Sequence, residues 1–148
     1  MTTKNTLAAL FDIAVDLAAS LSTGERFERL LTATRRVIPC GAAAILKLED
    51  GSLRPLATAG LKREVMGRRF QIAGHPRFTH ILENPGITRF DVDSELPDPY
   101  DGLLQSVDGE LPVHACMGAR LIVQEKIWGA ITFDDLQSNA FEGIEDDL

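Results

Sequence analysis

Apolar positions along this chain change their spacing several times, and each change marks an element. Leu7, Leu10, Ile13, Ala14 and Leu17 recur at helical intervals and predict a helix over residues 6–20. Thr23 then suits an N-cap, with Glu25 in the first turn to complement the helix dipole. Phe27, Leu30, Leu31, Thr34, Val37 and Ile38 form one face of a second helix, which ends near Pro39. Glu28, Arg29, Thr32, Arg35 and Arg36 share the opposite face, and a solvated charged face accounts for them.

Strand patterns follow. Residues 42–48 and 53–59 are apolar runs joined by Glu49-Asp50-Gly51-Ser52, and Asp-Gly between two such runs predicts a hairpin. Gly60 breaks the second run. Residues 62–70 are basic and mixed, which fits a short helix followed by an extended piece. Pro76 suits a first helical turn, so Gly74-His75-Pro76-Arg77 opens a helix through Phe78, Ile81 and Leu82. Asn84-Pro85-Gly86 ends it, and residues 87–90 are a short strand.

The second hairpin carries a register. Met117, Ala119, Leu121 and Val123 alternate as one apolar face, and Ile127, Gly129, Ile131 and Phe133 do the same on the return. A single buried face selects the pairing that brings those sets together. A three-residue connection, Gln124-Glu125-Lys126, pairs Val123 with Ile127 and does this. A two-residue turn does not, and Gln124-Glu125 lacks the Asn-Gly chemistry that such turns prefer. That register sets Cys116 opposite Asp134 on the other face, with Gly118, Arg120, Trp128, Ala130 and Thr132. Mixed helices and hairpins without repeated βαβ units predict an α+β domain with a mainly antiparallel sheet.

Between the hairpins lies Ser94-Glu95-Leu96-Pro97-Asp98-Pro99-Tyr100-Asp101-Gly102-Leu103, where two prolines and a glycine forbid regular structure. It places Asp98 and Asp101 on a stiff acidic loop, close in sequence to Asp91, Asp93 and Glu95. An EF-hand is excluded: counted from Asp91, Leu96 stands where glycine is needed and Gly102 where glutamate is needed. Cys116 alone reads as a small buried hydrophobe, as does Cys40. The carboxylate opposite Cys116 changes that reading, because a buried charge is costly unless something offsets it. Either Asp134 is solvated at its strand end, or Arg77, Arg120 or a metal stands beside it. Hard oxygen donors with one soft sulfur suit a mid-row divalent metal such as iron. His75 and His114 lack zinc-site spacing, and local hydrogen bonds account for them.

The net charge of −7 over 148 residues opposes direct contact with nucleic acid, which needs a basic face. No apolar run reaches membrane-spanning length, and the first residues lack the features of a secretory signal. Two distant cysteines then read as reduced thiols in the cytoplasm. No nucleophile elbow, phosphate-binding loop or dinucleotide fingerprint is present, so an enzyme is not expected. Glu145-Asp146-Asp147 reads as the first turn of a helix cut off at Leu148, which implies a larger protein beyond a single domain over 1–148.

Gly67-Arg68-Arg69-Phe70, Gly74-His75-Pro76-Arg77, the acidic loop from Asp93 to Leu103, and Val113-His114-Ala115-Cys116 together resemble the N-terminal GAF sensor domains of the NorR family of nitric-oxide-responsive regulators. The resemblance spans nearly the whole chain. It implies a six-stranded antiparallel sheet flanked by helices and a mononuclear non-haem ferrous iron, Fe(2+), that binds nitric oxide and can be lost on purification. It further implies that the domain restrains an adjacent AAA+ ATPase domain of a sigma-54-dependent transcriptional activator until nitric oxide binds. The family's proposed iron-site residues fall on Arg77, Asp98, Asp101, Cys116 and Asp134. A guanidinium has no free lone pair, so Arg77 is cast as the cation that offsets excess anionic charge, and the other four as metal ligands. Two departures stand out: Asp135 follows the strand aspartate where the family has glycine, and Arg120 occupies a place expected to be apolar. The competing readings are a GAF domain binding an organic ligand and a ligand-free module that forms a homodimer through its first helix.

Overall fold

A computed structural model describes residues 23–90, 94–100, 103, 115–137 and 140–142. The helix expected over residues 6–20 lies outside them. So do Asp91, Asp93, Asp101, His114 and the acidic turn expected near Leu148.

The described chain opens with helix α1 (Thr23–Val37) and the hairpin of β1 (Ala42–Glu49) and β2 (Ser52–Ala59). A 3₁₀ turn (Arg63–Gly67), the short β3 (Phe70–Gln71) and helix α2 (Pro76–Glu83) come next, then β4 (Ile87–Phe90). The hairpin of β5 (Ala115–Val123) and β6 (Lys126–Asp135) completes the sheet. Its six strands are ordered β3-β2-β1-β6-β5-β4, and all five pairings are antiparallel. The extended piece foreseen after residue 62 is β3, which adds an edge to β2.

Strand β1 is flanked by β2 and β6, and its first five residues are buried. A central strand covered on both faces explains a continuous apolar run in place of alternation. On one face, Leu30, Leu31 and Ile38 pack with Ala43, Ile45, Met117, Ala119, Ile131 and Phe133. On the other, Phe78, Ile81 and Leu82 of α2 pack with Ala44, Leu46, Leu53, Cys116 and Ala130. Gly118 lets α2 approach closely: a Cβ there would lie 2.6 Å from Ile81 Cδ1.

The β1–β2 turn has the expected geometry, with positive φ at Asp50 (48°) and Gly51 (76°). The β5–β6 turn corrects the sequence reading. Gln124 and Glu125 both adopt positive φ (52° and 65°), so the connection has two residues and Val123 pairs with Lys126. The right-handed strand twist favours such a turn even without asparagine or glycine, and the exposed tip tolerates the backbone cost. The ladder then shifts. Ile122 pairs with Ile127 but Leu121 pairs with Gly129, leaving Trp128 as the extra residue of a bulge. From Leu121 inward the expected register holds, and Cys116 faces Asp134. The bulge also moves Trp128 off the Cys116 face. Its ring stacks on Phe27 of α1, centroids 5.3 Å apart.

Candidate metal centre

Three adjacent strands present consecutive cross-strand partners to the α2 side of the sheet: Phe90 on β4, Cys116 on β5 and Asp134 on β6. Asp134 is only 1% exposed and Cys116 8%. The acidic loop descends on this row. Ser94 Oγ accepts the Leu96 N–H at 3.3 Å, and Asp98 Oδ1 accepts the Tyr100 N–H at 2.7 Å. These side-chain turns fold the segment without regular structure, as its prolines require. Tyr100 pins its end: the hydroxyl lies 2.9 Å from Thr132 Oγ1, and the ring packs edge-on against Phe70 and Phe78.

Arg77, in the first turn of α2, ties helix, loop and sheet together. Its Nε donates to the Leu96 carbonyl at 2.9 Å, and Nη1 lies 3.7 Å from Asp98 Oδ2. Its guanidinium carbon sits 4.8 Å from the centre of the Phe90 ring. The Arg77 and Asp98 side chains are 9% and 7% exposed, so this pairing is little screened by water.

Ligand atoms from Asp98, Cys116 and Asp134 all lie within 4.8 Å of one another. With metal–ligand bonds of about 2.0–2.3 Å, donors around one tetrahedral ion stand about 3.3–3.8 Å apart, so shifts of at most about an ångström close this set. Burial pushes the Cys116 thiol well above its ordinary pKa; the Asp134 and Asp98 carboxylates push it further, and Arg77 opposes them. Without a cation the sulfur therefore keeps its proton. The donor chemistry fits a divalent ion: with one bound, the sulfur would serve as thiolate. Two carboxylates and a thiolate carry three negative charges, which a divalent ion and the Arg77 guanidinium would cancel.

Of the residues anticipated from sequence, Arg77, Asp98, Cys116 and Asp134 meet here, and Asp101 lies outside the described residues. Arg120 is drawn elsewhere: it donates to the Leu82 carbonyl at 3.4 Å, in the last turn of α2, where a cation suits the helix dipole. His75 Nδ1 meets the Gln71 carbonyl at 2.7 Å, the local bond expected of it. Phe90, Tyr100 and Thr132 also shape the site, outside the expected ligand set. Tyr100 belongs to the acidic motif itself, whereas the pairing of Phe90 with Cys116 depends on the path between β4 and β5, for which sequence offers no spacing signal.

The chain is 43% identical over 141 residues to the anaerobic nitric oxide reductase transcription regulator NorR of Serratia proteamaculans. That match covers 95% of this chain and 28% of the relative's length. The nitric oxide reductase transcription regulator NorR2 of Cupriavidus necator is 46% identical over 132 residues, covering 88% of this chain and 25% of its own. Among solved structures, the GAF domain of a phosphoenolpyruvate-protein phosphotransferase from Coxiella burnetii superposes with a TM-score of 0.66. It shares 19% identity, and the match covers 93% of this chain and 82% of that one. The corresponding Acinetobacter domain gives 0.67 at 15% identity, covering 90% and 78%. The GAF domain model matches residues 22–148, and the chain belongs to the GAF domain family.

Proposed function

We propose that this chain is the signal-sensing domain of a transcription regulator, and that it binds nitric oxide at a mononuclear non-haem ferrous centre held by Asp98, Cys116 and Asp134. Asp101, three residues on in sequence, is assigned as a further ligand, which would leave the filled site with one net negative charge. The observation that carries this reading is the convergence of a buried carboxylate, the carboxylate of half-buried Asp98 and a buried thiol from two strands and a loop. The similarity to nitric oxide reductase transcription regulators supports nitric oxide as the signal. Ferrous iron, when bound, supplies an open coordination position that takes nitric oxide.

The chain's own residues do the rest. Cys116 and Asp134 are fixed by strand pairing, so they form the rigid half of the site. Asp98 rides on a loop anchored by Tyr100 and Arg77 and forms the adjustable half. Arg77 joins that loop to α2, so a change in what Asp98 holds is felt by the helix. In the full regulator this domain restrains an adjacent AAA+ ATPase domain of a sigma-54-dependent activator, in the cytoplasm, and nitric oxide lifts the restraint. Among the described residues no helix is long and apolar enough to cross a membrane. The role assigned is regulatory, with no catalysis by this domain.

The test is anaerobic loading with ferrous iron, followed by nitric oxide, monitored by electron paramagnetic resonance. Wild type is expected to take up one iron per chain and to gain a new paramagnetic signal with nitric oxide. Absence of that signal would leave the organic-ligand reading in its place.

A further inference from the structure

We infer that Phe90 is a positioning residue for Arg77: its ring holds the guanidinium at a distance that offsets the charge of Asp98 while leaving that carboxylate able to take an ion. The inference rests on the ferrous-site reading above.

Phe90 is 9% exposed and lies beside Cys116 in the sheet, so its ring forms one wall of the site. Arg77 sits over that ring, with its central carbon 4.8 Å from the centroid. A cation over an aromatic face is attracted by the ring quadrupole, most strongly where water is excluded. At this place the attraction acts against another. Asp98 draws the same guanidinium, yet Nη1 stops 3.7 Å short of Oδ2, beyond hydrogen-bond length. The Leu96 carbonyl, held at 2.9 Å by Nε, fixes the third direction. Ring and carbonyl together keep Arg77 from closing on the carboxylate. A guanidinium that did close would occupy lone pairs that an incoming ion needs, and would compete with it as a cation.

A simple packing role and this positioning role predict different outcomes. Replacing Phe90 by trifluorophenylalanine keeps the shape of the ring and removes most of its quadrupole. Two quantities are measured: hydrogen exchange at Arg77 Nε by NMR on metal-free protein, and ferrous affinity by competition with a chromophoric chelator. The trifluoro protein and Phe90→Leu are expected to exchange faster and to bind ferrous iron about tenfold more weakly. Phe90→Tyr, which keeps the aromatic face, is expected to behave as wild type. A trifluoro protein that matches wild type in both measurements overturns the inference, as does faster exchange with unchanged affinity. Should wild type bind no ferrous iron, the site reading falls, and the exchange measurement alone decides whether the ring holds Arg77.

Discussion

Cys116 and Asp134 are direct cross-strand partners, and the bulge at Trp128 makes them so. Without that bulge, a regular ladder running from the two-residue turn at Gln124-Glu125 would set Cys116 against Phe133 and turn the carboxylate to the α1 face. The site thus rests on an irregularity near the far end of the hairpin that carries it.

Asp134 should cost the metal-free protein stability. Its carboxylate is 1% exposed and shares a confined space with Cys116 and Asp98. Asp134→Asn keeps the shape and removes the charge. The metal-free variant is expected to gain about 1 kcal/mol, a few degrees in melting temperature. The same variant should bind ferrous iron at least tenfold more weakly. Calorimetry of both proteins, with and without metal, checks the two signs together.

Packing beneath α2 matters for the same reason. Gly118→Ala places a methyl 2.6 Å from Ile81 Cδ1 and 3.2 Å from the Ile131 carbonyl. Either the Ile81 side chain must turn away or the helix that carries Arg77 must shift. A loss of about 1–3 kcal/mol in urea unfolding is expected, as for other overpacked cores. Unchanged stability would mean that Ile81 or α2 can give way at this contact without cost.

Arg77→Ala should release the acidic loop. The variant loses the bond to Leu96 and the charge beside Asp98. Chymotrypsin is expected to cut after Tyr100 much faster in the variant than in wild type, where that ring is buried. A variant that resists cleavage, binds iron normally and still signals would remove Arg77 from the mechanism.

Alkaline pH gives a further check. Burial, reinforced by Asp134 and Asp135 and opposed by Arg35, raises the Cys40 thiol from 9.0 to about 11. The folded state keeps a proton that the unfolded chain gives up above pH 9. This contribution to stability is fully present below pH 9 and is lost as pH rises through about 11. Urea midpoints measured across that window should fall, and should fall less steeply in Cys40→Ala.

Much of this was legible from the chain. The apolar alternation of Met117, Ala119 and Leu121 against Gly129, Ile131 and Phe133 set the register of the site, because one buried face tolerates no slip. Asp-Gly marked the first hairpin turn. The second turn departs from the pattern because Gln124 and Glu125 reach positive φ without the residues that make it easy, and a bulge has no mark in the alternation. The union of the two hairpins through β1 and β6, and the descent of the loop onto Cys116, rest on contacts between distant segments. Chemistry proposed the donors, and only the folded chain brings them within reach of each other.

The central claim is that a loop carboxylate and a strand sulfur share one ion. Iron-edge X-ray absorption on the ferrous-loaded protein addresses it directly, because sulfur and oxygen scatter distinguishably at the metal. Wild type is expected to show one sulfur among oxygen neighbours, and Cys116→Ser to show oxygen neighbours alone. A wild-type spectrum without sulfur, or one unchanged by Cys116→Ser, would contradict the account.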